Sequence, residues 1–562
     1  MGLRKHQSEM NQVIDGIISG APKYKDIKEI ILSVVAGGGK GSVPVNAGKL
    51  IMAGMADAIC CIVPRHSLQQ QCEEVFMDKF FQKMFGVKLS IRASTNELEP
   101  CRGMNGFVTT YQALGHDKRG IVADTIRSKR VIVILDEFHH VEEDSPWHEA
   151  VAEVIEAATF VIKMSGTLSR ANKQKIACMK YKNGYVDLVG DKHTHVIRYS
   201  RTDALQEQAI LPIDFHLHDG EFQWKEFSGK NRKVDSFSDV QPKDRSSALY
   251  TALQTEFSEQ LIDACLGHWL KYRETKKHAK CLFVTAQIED AKRCMAYLES
   301  LEIPSLLATS HTPKECIQNI NLFKTRSPAL VTIAVAYEGL DVPAVSHVCV
   351  LTRIRSKEWM EQCVSRATRV DKSSGSYRSQ TAHVFAPRDP AFLEFVDVIE
   401  KEQVTRAQPS KGEDDQLELF PVDEVDKTEG SGPNGPCIPL KSQILELSRR
   451  VIGRGAGGFS PRVPVVTTPK QEEMSLRKKI NKHLTMYAVT QGYEVMNVMR
   501  DVKEIFNGKP RAQLTLDELR ILWASINQRY PLRDNGQFIH PSNTPPVFHR
   551  PEVGMEPEMN FF

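Results

Sequence analysis

Residues 31–42 read ILSVVAGGGKGS and residues 131–140 read VIVILDEFHH. Each opens as an apolar, β-favouring run of the kind buried on both faces of a parallel sheet. Each ends on residues able to do chemistry. After the first run, Gly37, Gly38 and Gly39 precede Lys40 and helical text. Glycines let backbone N–H groups curl around phosphate oxygens, a helix start adds positive dipole, and the lysine can reach β/γ-phosphates. The usual pattern follows the lysine with Ser or Thr, whose hydroxyl ligates Mg2+. Here Gly41 holds that place and Ser42 comes one later. One helical residue rotates a side chain by about 100°, so Ser42 is not an equivalent donor. Alone, the stretch also fits a flexible glycine turn beside a surface lysine. The second run supplies the complement. Asp136, at a strand end, suits Mg2+ directly or through its water shell, and Glu137 can polarise or deprotonate an attacking water. His139 is placed to couple such a site to a neighbouring domain. No HExxH occurs, which excludes that metalloprotease site.

The same alternation of short strands and helical text extends outward. Ala58–Val63, Gly106–Thr109 and Phe160–Met164 read as further strands of the first half. The pattern restarts at Cys281–Thr285, Leu330–Ala334, His347–Leu351 and His383–Ala386. Two α/β units are therefore expected, at residues 1–192 and 246–400. The stretch 193–245 between them reads as linker with an irregular excursion, because Asp219–Arg245 is polar and weakly periodic. Residues 401–467 read as a second linker. Its part 411–429 carries eight acidic and two basic residues, Pro/Gly punctuation follows, and Leu440–Val451 is a short helix candidate. A small, mostly helical module is expected over 468–532. Thr468 and Gln471 would form a capping box with Pro469 at the first position, and Thr515 with Glu518 would form another. A tail is expected at 533–562.

The whole chain, 562 residues with 41% hydrophobic and 25% charged, is too long for one core and too apolar for global disorder. A net charge of +3 names no partner, so a nucleic-acid surface has to be local. The twelve cysteines form no CxxC and read as reduced core residues. No secretory h-region and no 18-residue apolar run is present, so an intracellular, non-membrane protein is expected.

With these motifs in order, residues 1–390 resemble the superfamily 2 DExD/H-box helicases and translocases, nearest to bacterial or phage DExH proteins of DNA metabolism. AGGGKG is similar to motif I, VPRHSLQQQ at 63–71 to motif Ia, and TTYQAL at 109–114 to the next strand-binding motif. DEFH is similar to motif II, SGT at 165–167 to motif III and FVTAQIEDAKR at 283–293 to motif IV. YEGLDVP at 337–343 resembles motif V and QCVSRATR at 362–369 motif VI, with Ser365 where the family often has Gly. The resemblance implies an α/β fold of two tandem RecA-like domains with Mg-ATP between them. It implies nucleotide contacts from Gln7 (to adenine), the glycine loop, Asp136, Gly339 and Asp341. It assigns water positioning to Gln362 and γ-phosphoryl stabilisation to Arg366 and Arg369. His139, Ser165 and Thr167 would relay between nucleotide and strand. Arg65, Thr110, Tyr111, Gln112, Thr285 and Gln287 would hold a polynucleotide, with DNA favoured over RNA. The stripe Arg477, Lys478, Lys479 and Lys482 could grip a strand or dock a protein partner. The leading expectation is an ATP-driven helicase or translocase. The alternatives are a duplex translocase that does not separate strands, and a nucleic-acid clamp whose ATPase motifs are weakened at Gly41.

Overall fold

In the strand Ala58–Val63, Ile59, Cys61 and Val63 enter one apolar layer while Ala58, Cys60 and Ile62 enter another. That split follows from the period-2 alternation of a strand buried on both faces. The computed structural model describes residues 3–94, 96–141, 147–166, 176–182, 185–186, 190–309, 313–333, 340–404 and 435–453, then 476–477, 479–481, 483–488, 498, 509 and 513–530. The chain divides into two units, Met1–Val465 and Val466–Phe562.

The first unit contains two sheets. One is built from β1 (Glu29–Val34), β2 (Ala58–Val63), β3 (Arg92–Ala93), β4 (Gly106–Thr110), β5 (Val131–Asp136) and β6 (Phe160–Ser165). A small hairpin, β7 (Tyr181–Lys182) and β8 (Tyr185–Val186), precedes β9 (Thr194–Tyr199), which returns to the sheet. The order is β3-β4-β2-β5-β6-β1-β9, parallel throughout. The second sheet uses β10 (Ile213–Lys225), β11 (Asn231–Val234), β12 (Lys280–Thr285), β13 (Ser305–Ala308), β14 (Ala329–Ile333), β15 (Val345–Leu351), β16 (Ala382–Pro387) and β17 (Ile438–Ile452). Its order is β11-β10-β16-β15-β12-β14-β13, with β17 antiparallel to β10. These are the two tandem RecA-like cores.

Two readings of linker text are corrected here. The stretch 193–245 contributes β9 to the first sheet and β10 to the second. Leu440–Val451 lies within a strand, not a helix. β10 writes its buried side with Asp214, His216 and His218, which reads as polar text. β17 pairs with β10 from Ile213↔Ile452 to Lys225↔Ile438. It is also tied to helices. Ser442 Oγ accepts from Phe257 N at 3.2 Å, Ile444 N donates to Gln260 Oε1 at 2.7 Å, and Arg450 lies 3.3 Å from Glu400.

The second unit has its own apolar cluster, including Ile480, Leu484, Leu522 and Ile526. Thr515 caps the helix Leu516–Arg529, accepting from Glu518 N at 3.3 Å while the Glu518 carboxylate accepts from Thr515 N at 2.7 Å. The box at Thr468 and the residues Lys478 and Lys482 lie outside the described residues. Arg477 donates to the Leu514 carbonyl at 2.9 Å.

A Cβ at Gly220 would lie 1.9 Å from the Gln443 carbonyl oxygen, at the irregularity in the β10–β17 pairing. Gly220→Ala is expected to destabilise the first unit by about 1–3 kcal/mol in urea unfolding. An unchanged midpoint would contradict the pairing.

Candidate active site

Parallel order brings the C-terminal ends of β5, β6 and β1 side by side. The loop after β1 carries Gly37 and Gly39 at φ 81 and 89, a region open to glycine at no steric cost. The N-terminal helix Lys5–Ile18 and its cap brace this loop. Arg4 Nη1 donates to the Gly38 carbonyl at 2.5 Å, and Gln7 Nε2 donates to the Gly39 carbonyl at 3.2 Å and to Ser42 Oγ at 2.8 Å. A Cβ at Gly39 would lie 2.4 Å from Arg4 Nη1. Gln7, expected at an adenine, thus has its amide on the loop. Ser42 is buried and faces Gln7, while an added Cβ at Gly41 meets nothing within 4 Å.

Lys40 begins the short turn Lys40–Ser42, ahead of the helix Val43–Met52. Its Nζ lies 3.2 Å from Asp136 Oδ1 and also ion-pairs with Glu137. Burial opposes its charge, but the two carboxylates outweigh burial and raise its pKa. Burial likewise raises Asp136, with the Lys40 ammonium opposing. Glu137 sits at φ 47, a left-handed conformation that lifts it out of the strand line. Its Oε2 lies 3.4 Å from His139 Nδ1 and 3.5 Å from Gly166 N. His139 Nδ1 is 2.8 Å from Ser165 Oγ, which joins the ends of β5 and β6. Thr167 lies outside the described residues.

A cavity of about 550 Å³ opens over these groups, within the size range of ligand pockets. Its lining includes Lys40, Asp136 and Glu137 from the first core and Gln362, Arg366 and Arg369 from the second. Arg366 Nη1 donates to the Leu340 carbonyl at 3.0 Å. Arg369 pairs with Asp341, which also lines the cavity. Ser365 donates its hydroxyl to the Gln362 carbonyl at 2.7 Å, so a small polar residue fits the position. Gly339 lies outside the described residues. The two cores are fastened beside the cavity. Leu211 N donates to the Thr368 carbonyl at 2.7 Å, Ile210 bridges Arg369, and buried Arg201 lies 3.2 Å from Glu361. Arg4, Arg201 and Glu361 are contributors that the motifs do not signal. No local pattern marks a charge whose partner is up to 160 residues away.

Three of the expected polynucleotide contacts have buried side chains engaged within the protein. Thr110 is buried and caps the helix Tyr111–Gly115, accepting from Ala113 N at 3.0 Å. Tyr111 is fully buried and donates its hydroxyl to the Asp136 carbonyl at 2.9 Å. Thr285 is buried and donates to the Thr332 carbonyl at 3.3 Å. Their side chains serve the scaffold. Gln112 and Gln287 are exposed and Arg65 is half-buried.

Comparison with known proteins agrees with this architecture. Residues 1–170 match the family of the type III restriction enzyme res subunit, and residues 259–371 match the helicase conserved C-terminal domain. The two matched regions relate the chain to the superfamily 2 helicases and translocases. An uncharacterised protein of Mycobacterium leprae is 21% identical over 360 residues, covering 63% of this chain and 58% of the relative. One from Mycobacterium tuberculosis is 21% identical over 379 residues, covering 66% and 60%. The chain thus spans about 60% of the length of these relatives. Among solved structures, the ATP-dependent Type ISP restriction-modification enzyme LlaBIII bound to DNA is 12% identical at a TM-score of 0.45, covering 68% of this chain and 28% of that one. Mycobacterium smegmatis helicase Lhr, bound to ssDNA and AMP-PNP, is 14% identical at 0.43, covering 72% and 48%. Among the described residues no helix is long and apolar enough to cross a membrane.

Tyr111→Phe removes the hydroxyl that donates to the Asp136 carbonyl. It is expected to lower stability by about 0.5–1.5 kcal/mol in urea unfolding. A neutral substitution would show that this hydrogen bond does not hold the acidic motif.

Proposed function

We propose that this chain is an ATP-dependent motor on nucleic acid, a helicase or translocase with DNA as its track. The observation that carries this reading is the shared cavity. It gathers a glycine loop, a lysine and two carboxylates from one core, and a glutamine and two arginines from the other. The donor set fits Mg-ATP: loop positions without Cβ atoms can approach phosphates, Lys40 supplies a cation, and Asp136 supplies a hard oxygen ligand. Mg2+ held at Asp136 would neutralise charge on the β/γ-phosphates. In the resting arrangement Lys40 is held by Asp136 and Glu137, so binding phosphate means moving it from carboxylate to phosphate oxygen. That frees Glu137 to take a proton from water positioned by Gln362. Arg366 and Arg369 then face the charge that develops on the phosphoryl oxygens, which requires Arg369 to leave Asp341. The His139–Ser165 hydrogen bond beneath Glu137 links this change to the end of β6. Arg65, Gln112 and Gln287 are the remaining polynucleotide candidates, and opening and closing of the cores would move the first two relative to the third. The match to a restriction-enzyme subunit favours DNA over RNA.

A second reading, a clamp that binds nucleotide without turnover, draws on Gly41 and on Ser42, whose hydroxyl faces Gln7. Steady-state ATP hydrolysis with single-stranded DNA, duplex DNA or RNA tests both readings. Stimulation by DNA is expected, with loss of turnover but retained ATP binding in Glu137→Gln, and loss of both in Lys40→Ala. Nucleotide binding without turnover on any polymer would favour the clamp. Strand displacement beside triplex displacement then separates unwinding from duplex translocation. Gly41→Ser has room for its side chain and is expected to lower the Mg2+ concentration at half-maximal turnover. A higher requirement would show the loop adapted to glycine.

A further inference from the structure

We propose that His216, His268, His383 and Asp214 form a tetrahedral Zn2+ site in the second core, separate from the nucleotide cavity. Strand register assembles it. Asp214 on β10 lies beside His383 on β16, and His383 beside His347 on β15. His216 follows Asp214 by two residues and shares its face of the sheet. The helix Glu256–Thr275 covers that face and brings down His268, with ring centroids 4.9 Å from His216 and 4.4 Å from His383. These residues sit near the starts of their strands, whereas the cavity residues of the first core follow strand ends.

The spacing is that of metal ligands. His216 Nε2 and His383 Nδ1 are 3.4 Å apart, and Asp214 Oδ2 lies 3.6 Å from the first and 3.5 Å from the second. These separations are long for hydrogen bonds between such groups. A tetrahedron with metal–ligand bonds of 2.0–2.2 Å has edges of about 3.3–3.6 Å. One ring nitrogen of His268 lies within 4.8 Å of those of His216 and His383, so an approach of about 1 Å completes the fourth corner. The surroundings hold the ligands. His347 Nε2 lies 2.8 Å from His268 Nδ1, and its own Nδ1 is 2.8 Å from Ser346 Oγ. Arg449 on β17 donates through Nε to Asp214 Oδ1 at 2.8 Å and to Oδ2 at 2.9 Å, and through Nη2 to Oδ2, which holds the carboxylate in place beside the imidazoles. Three imidazoles and one carboxylate in a tetrahedral array suit Zn2+; Mg2+ and Ca2+ take oxygen ligands in higher coordination. With four protein ligands the site is closed and structural. It would staple β10 and β16 to the helix above them.

The test uses the untagged full chain, stripped with chelator and titrated with Zn2+ in equilibrium dialysis. One bound equivalent and a raised thermal midpoint are expected. Co2+ in its place should give the visible absorption of a tetrahedral ion. His268 is only half-buried on its helix, so His268→Gln should fold, lose the bound equivalent and lose the Co2+ band. His347→Gln, which touches a ligand and not the ion, should weaken Zn2+ binding about 10–100-fold. Equal Zn2+ uptake by wild type and His268→Gln, or no Co2+ band and no shift in midpoint with wild type, would overturn the proposal. Neither readout depends on ATP turnover.

Discussion

The ion cluster of Lys40 with Asp136 and Glu137 is the constraint on which the first core depends. Charges partly withdrawn from water are stabilised by pairing and hydrogen bonding. Here the pairing comes from loops after β1 and β5, which are separated in the sheet by β6 alone. Parallel strands end at the same edge, so the lysine and the carboxylates cannot avoid one another. The surrounding residues serve that meeting. Arg4 and Gln7 brace the glycine loop from outside, Tyr111 supports the Asp136 backbone, and His139 with Ser165 spans the gap beneath Glu137.

The second core answers with cations. Arg366 and Arg369 line the cavity opposite the acidic pair, and Arg369 pairs with Asp341. Lys40 and Arg369 are thus each held by carboxylates of their own core. The contacts at Ile210, Leu211, Arg201 and Glu361 keep the two sets facing.

Where strands are apolar on both faces, the sequence is direct. Ala58–Val63 is found as read, and Val131–Leu135 gains only Asp136. Periodicity fails where a strand carries polar residues for other purposes. β10 buries Asp214, His216 and His218 among the apolar residues of a sheet, and so resembles a linker. β17 is half-exposed, and its scattered Leu and Ile residues fit a helix period as well as a strand period until the partner strand is known. In the site, Lys40, Asp136, Glu137, Gln362, Arg366 and Arg369 share one cavity. Side-chain direction is less legible. A hydroxyl at Thr110, Tyr111 or Thr285 can serve a ligand or a neighbouring carbonyl, and burial decides for the carbonyl or cap. Gln7 similarly turns to the glycine loop, because two acceptors lie within its reach.

We propose that the two cores form one catalytic site for ATP, with the second supplying charge to the reaction of the first. Single-turnover hydrolysis of bound ATP on DNA by Arg369→Ala, measured beside its ATP affinity, tests it most directly. Affinity within a few-fold of wild type and cleavage slowed by roughly 10³-fold or more are expected. Cleavage at the wild-type rate would contradict it.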